Sequence, residues 1–216
     1  MNQEAIFLSI DEFVFLSSVF GIKKIYGIKN ISYKLEENKI ILSLIEKGAI
    51  ILKSNKAISI IGEYCEILKN IKNATQIISF VKDNSMIWFS VSKQIICFEF
   101  CKNQQDVIAI SVYGLSELEN IILEKDLIPK LFYDSDIVEI KEQNDLLGNN
   151  IDIQQVRLEE TINIYSRDND ECEYSNMFSI TLLWDDKEYW IVYLENEKEV
   201  TRYTPGKVIK YIMDRV

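Results

Sequence analysis

The chain has 216 residues, 48% hydrophobic and 11% aromatic, which is enough apolar material for a single compact domain spanning 1–216; only 2 Pro and 7 Gly leave no flexible linker. With 34 acidic and 24 basic residues the formal net charge is −10, a field that repels nucleic acid and anionic lipid and leaves other proteins as the expected partners. The absence of histidine removes imidazole-completed zinc sets, Ser-His and Cys-His nucleophiles and the usual proton shuttle near neutral pH.

The opening Met1 to Glu4 lacks the basic flank of a secretory signal, and the longest apolar runs, such as Ile50 to Leu52, are far too short for a membrane span. A cytoplasmic protein with no membrane insertion is the expectation. Ser9-Ile-Asp-Glu12 has capping-box spacing, after which Phe13, Leu16 and Phe20 recur on one helical face up to Gly21. A second helix runs from Leu35 with Ile40, Ile41, Leu44 and Ile45 together, and stops at Gly48, suited to a left-handed cap. Ala57, Ile58, Ile61, Tyr64, Cys65, Leu68 and Ile71 form the stripe of a third helix that begins after Ser54-Asn55. Thr75 to Lys82 reads as a strand.

Met86 to Val91, Gln94 to Cys101 and Val107 to Tyr113 are aromatic and β-branched runs separated by polar turns, a meander of three strands. The helix after it opens on Ser116-Glu-Leu-Glu119, carries Ile121, Ile122 and Leu123, and is closed by Pro129. Tyr133 to Asp136 is turn-like, Ile137 to Ile140 a short strand and Gly148 to Asn150 a loop. From Asp152 to Tyr165 the residues Val156, Leu158, Ile162 and Ile164 fit alternation, while Leu158, Ile162 and Tyr165 fit a helix face; helix is the preferred assignment. Arg167 to Glu173 reads as a polar loop. The construction then repeats: strands at Met177 to Trp184, Tyr189 to Leu194 and Val200 to Tyr203, followed by a helix capped by Thr204 with Pro205 at its first position and Val208, Ile209, Ile212 and Met213 buried.

The expected fold class is therefore α+β: a central antiparallel sheet built from two quasi-symmetric halves, approximately 1–130 and 131–216, each a β-meander plus helix, flanked by helices. Cys65, Cys97, Cys101 and Cys172 form no C-x-x-C pair and are expected as free thiols without a metal. No glycine-rich phosphate loop occurs, and Glu36-Glu37, Glu159-Glu160 and Asp185-Asp186 read as solvated or helix-start acids, so neither catalysis nor a cofactor is expected.

Phe7-Leu-Ser-Ile-Asp-Glu-Phe13, the helix ending in Leu44-Ile-Glu-Lys-Gly48 before Ile50, and the closing Tyr189-Trp-Ile-Val192, Val200-Thr201, Pro205 and Val208 together resemble the EspG-type chaperones of type VII (ESX) secretion systems, over Ile6 to Arg215. Lys187-Glu188 departs from the Gly-Arg that family tends to carry before the Tyr, the second half is short of helical material, and the Ile-, Lys- and Asn-heavy usage suggests a Firmicutes-type relative. The resemblance implies a cytosolic chaperone that holds the apolar tip of a helical hairpin, here an LXG-type toxin or a small helical partner. Apolar residues alternate to both faces of the predicted strands, so any stretch left uncovered becomes a docking surface. Trp88, Phe98, Phe100, Tyr189 and Trp190 are the candidate anchors and Gln104, Asp106, Asp185 and Asp186 the candidate rim, with an ordinary core role for Trp88, Phe98, Phe100 and Trp190 standing beside that reading. The alternative is an immunity protein that neutralises a cognate toxin with its own negative charge.

Overall fold

The computed structural model describes residues 5–28, 36–54, 57–82, 85–101, 106–129, 157–168, 173–184, 189–194 and 199–216. The expectations for 133–136, 137–140 and 148–150 lie outside them. In chain order the elements are β1 (Ile6–Ser9), α1 (Ile10–Val19), α2 (Glu37–Glu46), β2 (Ile50–Leu52), β3 (Ile58–Ile60), α3 (Gly62–Lys72), β4 (Gln76–Lys82), β5 (Ser85–Val91), β6 (Gln94–Phe100) and β7 (Val107–Gly114). A 3-10 turn at Leu115–Glu117 leads into α4 (Leu118–Glu124), and β8 (Arg157–Asp168), β9 (Glu173–Trp184), β10 (Tyr189–Tyr193), β11 (Glu199–Arg202) and α5 (Pro205–Met213) complete the chain. No described helix is long and apolar enough to cross a membrane.

The fold is α+β, dominated by one antiparallel sheet with the order β1-β7-β6-β5-β4-β8-β9-β10-β11. Its centre is the β4–β8 pair, in which Ile78 lies opposite Ile164 and Phe80 opposite Ile162. On one side of that pair the chain runs β4-β5-β6-β7-α4; on the other it runs β8-β9-β10-β11-α5. Each unit is thus four strands and a helix, one strand more than the meander alone. β2 and β3 form a separate ribbon.

Side-chain alternation feeds two cores, one on each face of the sheet. On face one, Ile78, Phe89, Ile95, Ile162, Ile180, Leu182 and Ile191 pack under Leu118, Ile121 and Ile122 of α4 and Val208, Ile209 and Ile212 of α5, so this core crosses both units. The Tyr203 hydroxyl donates to the Pro129 carbonyl at 2.5 Å and adds a tie between the units. On face two, Ile77, Trp88, Ile96, Phe98, Ile108 and Ile110 pack under Phe13 and Leu16 of α1, Ile40 and Leu44 of α2, and Ile67, Leu68 and Ile71 of α3.

Local sequence explains most boundaries. Ser9 and Glu12 close the capping box of α1 reciprocally. Gly21 (φ 79°) and Gly48 (φ 68°) take the left-handed conformations that end α1 and α2. Thr204 caps α5, with Pro205 in its first turn.

Several expectations are corrected. The third helix starts at Gly62 and not after Asn55: Ile58–Ile60 is a strand paired with Ile50–Leu52, because an Ile-Ser-Ile run with a partner three residues long beside it fills a ladder better than a helical turn. Residues 157–165 are strand β8 and not helix, held between β4 and β9. Of the expected Arg167 to Glu173 loop, Arg167 and Asp168 end β8 and Glu173 begins β9, while 169–172 lie outside the described residues. Glu117, and not Ser116, organises the turn after β7, accepting from Gly114 N–H at 2.6 Å. Met213 is 42% exposed, and Tyr211 takes its place on the buried face of α5.

Candidate partner-binding face

Because Ile162, Ile164, Ile180, Leu182 and Ile191 are committed to face one, alternation sends Thr161, Asn163, Ser179, Thr181, Leu183, Trp190, Val192 and Val200 to face two of the second unit. Register arranges them in rows. Val81, Thr161, Thr181, Val192 and Val200 form one row, Ser79, Asn163 and Ser179 a second, and Leu183, Trp190 and Arg202 a third. Within the polar row, Ser179 Oγ donates to Asn163 Oδ1 at 2.6 Å.

Leu183, Trp190, Val192 and Val200 are half-buried and belong to neither core. Leu194, just beyond β10, is 51% exposed. The described helices place their buried residues elsewhere: α1, α2 and α3 over face two of the first unit, α4 and α5 over face one.

An aromatic group lies on face two where the first unit meets the second. The Tyr26 ring lies 4.9 Å from Tyr165, 5.7 Å from Tyr174 and 6.5 Å from Trp88 between centroids. Gly27 (φ 75°) lets this loop approach the sheet, since a Cβ there would stand 2.7 Å from Met86 Cε and 3.5 Å from the Trp88 ring. Burial pushes the Tyr26 phenol up, so it stays protonated beside the Tyr165 ring.

The chemistry this arrangement offers is adhesion. An apolar strip of Leu183, Trp190, Val192 and Val200 runs beside a hydroxyl-and-amide strip of Thr161, Asn163, Ser179 and Thr181, a match for an amphipathic surface with one greasy and one polar side. Among the described residues no group of three or more His, Cys, Asp or Glu side chains converges. Cys97 is buried on face one, where burial and then the Glu99 carboxylate push its thiol up, which makes it a poor nucleophile. Cys65 and Cys101 are free thiols as well.

The structure separates the sequence-derived candidates. Trp88 and Phe98 are each 1% exposed and stack on one another at 4.9 Å, inside the face-two core. Phe100 is half-buried, its ring 5.4 Å from that of Trp88. Tyr189 turns to face one, against the rings of Trp184 and Tyr203. Trp190, its chain neighbour, points to the part of face two over which none of the described helices packs. Asp106 is exposed at the far end of the sheet, and its carbonyl accepts the Ile10 N–H. Gln104, Asp185 and Asp186 lie outside the described residues. Thr181, Leu183 and Val200 were missed as candidates, although the alternation of Met177 to Trp184 carried the parity needed to pair Leu183 with Trp190.

Comparison with models of known families and with curated proteins finds no match for this chain.

Proposed function

We propose that the chain is a non-enzymatic chaperone or adaptor that binds a helical-hairpin client, in the manner of the EspG-type chaperones of type VII secretion, with an LXG-type toxin or a small helical partner as the client. One observation carries this reading. Two similar units share one sheet, yet only the first has described helices over face two, and the corresponding strip of the second presents Leu183, Trp190, Val192 and Val200 half-covered. Helices are what the first unit places on this kind of surface, and a client helix supplies the same chemistry in trans. Trp190, central in its row between Leu183 and Arg202, is the anchor, since a large ring with few rotatable bonds loses little entropy on docking.

Co-expression with helical-hairpin proteins encoded nearby, followed by size-exclusion of the mixture, tests the proposal. A client that co-elutes with the wild type and is lost with Trp190→Asp supports it; the absence of any co-eluting hairpin removes its main support. The net charge of −10 favours a second reading, an immunity protein that blocks a basic toxin site. Binding to a toxin's C-terminal module, with death of the host cell on deletion, would select that reading; binding to the N-terminal helical region, with loss of export, selects the chaperone.

A further inference from the structure

The register of the outermost strand leaves specific backbone groups facing away from the sheet. In the β1–β7 ladder, Ile6 and Leu8 lie opposite Ile110 and Ile108, and just beyond them Ile10 N–H donates to the Asp106 carbonyl at 2.8 Å. In an antiparallel pair such inward positions alternate with outward ones, so Phe7 and Ser9 turn their backbone groups to the outside. Those groups are not left to water. The Phe7 carbonyl accepts from Lys47 Nζ at 3.2 Å, and the Ser9 N–H donates to Glu12 Oε2 at 2.6 Å. Lys47 Nζ lies 2.6 Å from that same Glu12 oxygen, and Ser43 Oγ donates to the other at 2.6 Å. One ion pair, from the first turn of α1 and the C-terminal cap of α2, thus supplies the donor and the acceptor that a neighbouring strand would bring. At the opposite edge, Lys207 Nζ donates to the Arg202 carbonyl of β11 at 3.3 Å. Lysine at a sheet edge is a common defence against strand addition, and here helices supply one at each end, Lys47 from the cap of α2 and Lys207 from α5.

We propose that the Glu12–Lys47 pair guards the β1 edge, and that the strand it excludes is β1 of a second copy of this chain. A two-fold register is available to that pairing, with Phe7 opposite Ser9 of the second copy and Leu8 opposite Leu8; in it Lys47 occupies the Phe7 carbonyl and Glu12 the Ser9 N–H. Phe7, 55% exposed, gains cover in such a pair. The guard is independent of the client-binding face, since β1 and β10–β11 sit at opposite ends of the sheet.

The test is Lys47→Met, which keeps the apolar stem and removes the donor, examined by sedimentation over a concentration series together with near-ultraviolet circular dichroism. Lys39→Met is the control, because Lys39 pairs with Glu36 at the opposite end of α2 from Lys47. The expected result is a folded Lys47→Met protein whose mass rises with concentration to about twice that of wild type, with Lys39→Met unchanged. Adding Phe7→Pro, which deletes an outward N–H and no ladder bond, returns the double variant to the wild-type mass. A Lys47→Met protein that keeps the wild-type mass overturns the proposal, as does association that survives Phe7→Pro. Loss of the near-ultraviolet signal in Lys47→Met also overturns it, by making the pair a clamp on α2 and not a guard.

Discussion

Glu12 shows how one side chain links three elements. It is 4% exposed, and burial alone would raise its carboxyl; the Lys47 ammonium, the Ser43 hydroxyl and the Ser9 amide outweigh that and hold it below the usual glutamate value. Its stabilising contribution is therefore complete above the unfolded value of about 4.3 and is lost as pH falls through the lower folded value. Denaturant unfolding as a function of pH should show Glu12→Gln with a shallower acid loss than wild type, and Glu12→Ala, which strands Ser43 and Lys47, should lose about 1–3 kcal/mol at neutral pH. The capping half of this network was legible because Ser9 and Glu12 are three residues apart. Ser43 and Lys47, 31 and 35 positions away, were not, since no local pattern announces a tertiary ion pair. Trp88 makes the complementary point: a strand pattern identifies a large ring without saying whether a helix lies over it. With 1% exposure and Phe98 stacked on it, Trp88→Ala should cost about 3–5 kcal/mol, measured by chemical denaturation.

At the scale of elements, the meanders and the capped helices could be read because their signals are local. β8 could not, and one reason lies in the register shift near its start. Between Leu158 and Glu160 one residue is extra, so Leu158 pairs with Leu183 while Ile162 pairs with Ile180, and the two-residue repeat is interrupted there. A second shift follows Ile164, but its extra residue is Met177 of β9, so only the first shift breaks the alternation of β8 itself. The third helix failed differently: Ile58 and Ile60 fit a helical stripe as well as a strand, and only the hairpin partner Ile50–Leu52 decides. Where caps are explicit the element should respond to them. Thr204 Oγ1 accepts the Lys207 N–H at 3.3 Å, so Thr204→Ala should lower stability by about 1 kcal/mol, and hydrogen exchange should speed up first in the opening turn of α5.

At the scale of the molecule, the doubled strand-and-helix unit was visible in the sequence, but the joint between the copies was not. β4–β8 pairing brings Gln76 opposite Ser166 across the whole intervening segment, a contact that follows from topology and not from composition. That joint makes one continuous face-one core and leaves face two covered unevenly, with Trp88 under helices and Trp190 beside none of the described ones. The candidate site was only half legible for the same reason: alternation placed Trp190 and Tyr189 on opposite faces, but coverage depends on where the N-terminal helices settle. The most direct test is the thermal unfolding midpoint of Trp190→Asp measured beside that of Trp88→Asp. A charge on the proposed docking face should leave the midpoint close to wild type while Trp88→Asp falls steeply; a Trp190→Asp protein that melts as low as Trp88→Asp would contradict the account.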